Sequence, residues 1–213
     1  MILDPTLTAA YLVVATALAV SPGPDVLYVL ANGMRHRTRG AIAAALGIGA
    51  GSVIHALAAA VGVSAIIAAS PVAFDILRVT GALYLAYLGL QALYSCHKNT
   101  NNNKANLSAD ETSVWKVFQR GLTTNILNPK VVVFYLALLP QFVNAELGHV
   151  GLQIFLLGCL HNAIGLVFLL VVGLTAGRAS EWLASTSFGR WMDGVAGLFF
   201  IGLALRLALF EKS

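Results

Sequence analysis

Charged side chains are scarce in this sequence. Thirteen Lys and Arg and nine Asp and Glu make up 10% of 213 residues, against about 25% in an ordinary globular chain. So few charges cannot cover a water-facing surface for this length, which excludes a soluble globular domain. Cysteine is nearly absent too. Cys96 and Cys159 have no metal-ligand spacing and form no disulfide framework, and Cys159, inside an apolar run, reads as a small packing residue. There is no nucleophile elbow, no His-Glu-x-x-His, no phosphate loop and no cluster of metal ligands. Neither an enzyme nor a cofactor is implied. A formal charge of +4 and a pI near 9.3 would suit nucleic acid, but most of the basic residues flank apolar spans, as topology-setting charges do, so no nucleic-acid partner is expected. Met1 to Thr8 contain no Lys or Arg and carry Asp4. A cleavable signal needs a basic start, so the first apolar stretch is expected to stay in the protein.

Apolar residues fill the space. They are 58% of the chain, the mean hydropathy is +0.81, and there are 20 glycines, a residue common in transmembrane helices. About 20 apolar residues cross a bilayer as a helix, and the sequence divides into six such stretches, at about 7–31, 41–69, 72–94, 114–142, 151–176 and 191–210. The first is interrupted by Ser21-Pro22-Gly23-Pro24 and the fourth by Asn128-Pro129-Lys130. Between the third and fourth lies a polar segment, 97–113, with the run Asn99-Thr100-Asn101-Asn102-Asn103; it buries too little to order itself and is expected to be a flexible linker. The fold class expected is an all-α integral membrane protein of six helices, the first and fourth broken at proline.

The chain also divides into two halves of three spans, 1–96 and 114–213. With an odd number of spans each, the second half is inverted relative to the first. Each half opens on a proline-broken helix, continues with a Gly- and Ala-rich one, and closes on Gly-x7-Gly: Gly81/Gly89 and Gly194/Gly202. Paired broken helices in inverted halves point to the central site of a transporter. Arg35, Arg37, Arg39, Lys98, Lys104, Lys116, Arg120, Arg178 and Arg190 fall on one side of the expected bilayer, and Arg78, Arg206 and Lys212 on the other. The positive-inside rule then places the linker in the cytoplasm and both termini outside.

Charges inside apolar spans are costly and mark pathways. Asp25 is the only acidic residue well inside the first five spans. It either caps the helix that restarts after Pro22, Gly23 and Pro24, where a negative charge suits the positive end, or serves the pathway. Lys130 heads the apolar run Val131–Leu136 behind Asn128 and Pro129. Three roles fit it: snorkelling toward the basic side, pairing with Asp25, or flanking with Asp25 a zwitterionic substrate such as an amino acid. His55, His161 and its neighbour Asn162, together with Asn125, add polar groups inside spans. The histidines are either packing residues with satisfied hydrogen bonds or proton carriers.

Ser21-Pro22-Gly23-Pro24-Asp25, then Gly47-x3-Gly51 with His55, then Gly81-x2-Tyr84-Leu85-x-Tyr87-Leu88-Gly89 resemble the first half of the LysE-type amino-acid exporters. In the second half Gly121, Asn128-Pro129-Lys130, Phe134 and Leu139-Pro140-Gln141-Phe142 match that family's fourth-span pattern, the homoserine/threonine-resistance (RhtB) branch being the most similar. The resemblance covers about residues 10–207. It implies a multi-pass exporter of amino acids or derivatives in the bacterial inner membrane, driven by the proton gradient, with Gln141 among the residues the shared motifs bring to the site. Homoserine, threonine, leucine and lactone exporters share these motifs, so the substrate stays open. The expected partners are an amino-acid substrate, the lipid bilayer and protons, with a homo-oligomer left open. The alternative is a cation or metal-ion transporter, or a channel, of the same architecture, in which Asp25 coordinates the ion.

Overall fold

Helix starts and stops follow side-chain chemistry. The Asp4 carboxylate accepts hydrogen bonds from the Thr6 and Leu7 N–H groups at 2.9 and 3.1 Å and Pro5 takes the first helical position, so helix α1 runs Pro5–Val20. It stops where prolines remove the donors a helix needs. Ser21 and Gly23 are extended, and α2 restarts at Pro24 with Asp25 in its first turn, continuing to Ala69. Ser70 breaks it, and α3 runs Pro71–His97. Helix α4, Val114–Ile126, ends at a Leu127 turn; the Asn128 side chain then accepts the Lys130 N–H at 3.1 Å and starts the short α5, Pro129–Val133. The chain bends by 51° between α4 and the segment Pro129–Phe142. Past α5 it widens into a π-helical turn, Phe134–Leu138, and tightens into a 3₁₀ turn, Leu139–Phe142. Pro140 has no N–H for the carbonyl four residues back, which accounts for the change of winding. A second 3₁₀ turn, Ala145–Leu147, leads to α6, Val150–Leu174.

This computed structural model describes residues 2–21, 23–97, 113–176, 194, 195, 197–202, 204 and 205. The molecule is an all-α membrane protein, and among the described residues there is no strand. Stretches within α2, α3 and α6 are each long and apolar enough to cross a bilayer, and the bent pair from Val114 to Phe142 makes a fourth candidate. Pro5–Val20 is shorter and lies end to end with α2 across the 21–23 break. The sixth expected span is described only in part, where it is helical; the linker 98–112 lies outside the described residues.

One expectation changes. The basic stretch after residue 31 was expected as a loop between two spans, yet α2 is helical on both sides of Arg37, whose φ of 52° and ψ of −144° kink it. Arg and His are adequate helix formers, so a polar run need not unwind; a single residue turns the chain instead.

Helix α2 packs between α4 and α6. Glycine allows the approach: a Cβ on Gly47 would overlap the Phe118 carbonyl oxygen, and one on Gly121 would lie 2.8 Å from the Ala44 carbonyl oxygen. Such mutual small-residue contacts are how membrane helices associate without a hydrophobic drive between them. One core gathers Tyr11, Phe134, Tyr135, Leu138, Ile154 and Leu157; a second gathers Val26, Val29, Ala44, Ile48, Val117 and Leu169. Val13, Val61, Leu83 and Val167 face outward, each 64% exposed or more. An apolar exterior over a packed interior is what a bilayer requires.

Candidate functional site

The break after α1 and the break before α5 meet. There the interrupted backbone and the polar residues around it line a cavity of about 60 Å³. Asp25, from the first turn of α2, points into it. Its two oxygens accept from the Asn125 side-chain amide of α4 at 2.8 Å and from the Asn128 amide at 3.1 Å. Hydrogen bonds to a charged group contribute about 1.5–3 kcal/mol each, and these two partly offset the cost of burying the carboxylate. Asn125 is the hub: its Oδ1 accepts from Ser52 Oγ at 3.5 Å, and its backbone carbonyl lies 3.3 Å from His55 Nε2.

Lys130 turns its ammonium inward. Nζ donates to the Ser21 carbonyl at 2.9 Å, one of the groups that the proline break left without a helical donor. It also lies 5.8 Å from the centre of the Phe200 ring, a cation–π contact, and a Cβ on Gly23 would be 3.7 Å from it. Among the described residues no ion pair joins Lys130 to Asp25: the carboxylate is held by amides and the ammonium by a carbonyl, both at the wall of one cavity. Opposite them α6 supplies His161 and Asn162. His161 packs against Phe134 with ring centres 4.1 Å apart and the ring planes tilted by 40°. Among the described residues its Nδ1 and the Ser21 hydroxyl are buried without a partner. Buried polar atoms are rarely left so, and both residues line the cavity.

Of the residues singled out by sequence, Gly23, Asp25, Asn125, Asn128, Lys130, His161 and Asn162 line the cavity together. Pro24 and Pro129 open the helices that deliver Asp25 and Lys130. Pro22 lies outside the described residues. His55 reaches the site only through Asn125 and stacks on Tyr135, ring centres 5.7 Å apart. Gln141 is not brought to the cavity; its amide donates to Ala137 in its own turn at 3.4 Å. Ser21, Ser52, Gly49 and Gly165 line the cavity but were not singled out. Ser21 was legible as the residue at the proline break, and Gly165 as the position one helical turn beyond His161. Among the described residues no three His, Cys, Asp or Glu converge to hold a metal ion.

An all-helical membrane body that brings an acid and a base to the wall of a small polar cavity, between two broken helices, has the build of a membrane translocator. The family model described as LysE type translocator matches residues 16–210, and the chain belongs to that family. It is similar to the leucine efflux protein of Salmonella typhimurium (strain LT2), with 32% identity over 205 residues, 95% of this chain and 94% of the relative. It is similar also to the uncharacterized membrane protein YrhP of Bacillus subtilis, 25% identical over 94% of this chain and 97% of the relative. No solved structure matches the chain significantly.

Proposed function

We propose that the protein exports a neutral aliphatic amino acid, of which leucine is the first candidate, across the bacterial inner membrane in exchange for protons. The observation that carries the reading is that Asp25 and Lys130 line one cavity, each hydrogen-bonded to neutral groups. The Asp25 carboxylate and the Lys130 ammonium are the complement of an amino acid's ammonium and carboxylate. Apolar walls from Val26, Ile48, Leu166 and Leu169 suit an aliphatic side chain, and the leucine efflux relatives agree with that size. In this reading the chain crosses the membrane six times as two inverted halves, the linker 97–113 lies in the cytoplasm, and Asp25 is the carboxylate that exchanges protons.

The test is flux in sealed vesicles with an imposed pH gradient. Leucine transport should follow the gradient and stop with a protonophore, while exchange of labelled for unlabelled leucine persists. Divalent metal ions should not compete. Lys130→Ala should reduce amino-acid exchange tens-fold or more, because losing one side of a buried charged contact costs on the order of 2–5 kcal/mol, and should spare a lactone, which lacks the carboxylate. Competition by metal ions but not by amino acids would overturn the reading in favour of a cation pathway. Equal losses for amino acids and lactones would remove the carboxylate role from Lys130.

A further inference from the structure

Four glycines, Gly151, Gly158, Gly165 and Gly173, lie on the inward stripe of α6, and one of them is unlike the others. Ile154, Gly158, His161, Leu169 and Gly173 are buried at spacings of three, four and eight, which puts them on one face of the helix. Gly165 falls midway across the gap of eight, one turn from His161 and one from Leu169, so it too points inward. Gly151, Gly158 and Gly173 are packing glycines. A Cβ on Gly158 would lie 2.7 Å from Ala56 Cβ and 3.0 Å from Tyr135 Cε1; one on Gly173 would lie 2.7 Å from Val29 Cγ1 and 2.8 Å from Ala41 Cβ. Among the described residues nothing lies within 4 Å of where a Cβ on Gly165 would be. It is a cavity-lining residue, so the open space in front of it is the cavity. One turn before it, His161 Nδ1 is buried at the same cavity without a partner among the described residues; beside and beyond it, Leu166 and Leu169 are apolar.

We infer that Gly165 sets the largest side chain the substrate can carry. The polar end of the ligand is held by Asp25, Lys130 and His161, and its aliphatic side chain occupies the space left by the missing Cβ, against Leu166, Leu169 and Ile48. The inference rests on the amino-acid reading above and adds to it the position that discriminates by size. Filling the space with methyl groups takes room from the longest substrates first, and one methylene in an apolar pocket is worth about 10–200-fold in discrimination.

The experiment uses the full-length protein in proteoliposomes, comparing exchange of alanine, 2-aminobutyrate, norvaline and leucine by wild type, Gly165→Ala and Gly165→Val, with the thermal unfolding temperature of each in detergent. The expected result is that Gly165→Ala unfolds no earlier than wild type, because the new Cβ meets nothing, while Gly158→Ala unfolds earlier. The leucine-to-alanine rate ratio should fall stepwise, by about tenfold or more at Gly165→Val. Gly165 has no such role if the ratio is unchanged, if alanine and leucine fall together, or if Gly165→Ala fails to fold, since the space would then not be open. A wild-type protein that exchanges none of the four would instead sink the amino-acid reading itself.

Discussion

A carboxylate in a membrane protein is shaped by who donates to it, and the chain holds two contrasting cases. Asp25 is bonded by two side-chain amides from another part of the fold. Asp4, at the end of α1, accepts from the Leu7 and Thr6 N–H groups and from the Asn144 side chain at 3.1 Å. The Leu7 N–H first, then the Asn144 amide and the Thr6 N–H, hold its carboxyl below the ordinary value of 3.8. A depressed acid stabilises the fold above its unfolded value, and that contribution is lost as pH falls through the lower folded value. Stability should therefore decline on acidification below about pH 4, and Asp4→Asn should flatten that part of the curve and lower stability near pH 7 by the contribution the wild type loses on acidification. Unfolding temperature against pH for the two proteins in detergent checks this; identical acid slopes would remove Asp4 from the account. The charges at the cavity were legible in the sequence because Asp25 and Lys130 stand out in apolar runs. Their partners were not, since that Asn125 and Asn128 reach Asp25 is a contact between distant segments that no local pattern encodes. Asp4-Pro5-Thr6 was a readable helix start, but its bond to Asn144 was not.

At the scale of elements, proline told most of the story. The breaks at 21–23 and 127–128 fall where Pro22, Pro24 and Pro129 forbid a continuous ladder, and the 51° bend between α4 and Pro129–Phe142 gives the two breaks a common meeting place. The kink at Arg37 was hidden, because the charged string around it reads equally well as loop or helix. Glycine could be seen as a sign of close packing, but which glycines pack and which leave room depends on what stands opposite. Gly47 faces the Phe118 carbonyl, a backbone group that cannot rotate away. Gly47→Val should therefore separate α2 from α4, at a cost beyond the 1–3 kcal/mol of an ordinary overpacked core, and the protein should elute as aggregate in size-exclusion chromatography. A monodisperse Gly47→Val protein with wild-type unfolding temperature would show that the α2–α4 contact is looser than described.

For the whole molecule, apolar composition identified a bilayer-embedded, all-helical body, and the structure supplies what composition lacked: a buried polar centre assembled from both halves of the chain. The excess of basic residues on one side proposes an orientation, with 97–113 in the cytoplasm and both termini outside. In a cysteine-free background, Ser213→Cys should react with an impermeant thiol reagent in intact cells, and Asn102→Cys only after permeabilisation; the reverse pattern would invert the molecule. The central claim is that Asp25 and Lys130 bind the two ends of a zwitterion and not each other. Its most direct test is leucine exchange in proteoliposomes by Asp25→Ala, Lys130→Ala and the double variant. Each single change should lower exchange tens-fold or more, on the order of 2–5 kcal/mol, with the double variant no better than the worse single. Wild-type exchange by the double variant, with both single variants defective, would show a mere ion pair and contradict the claim.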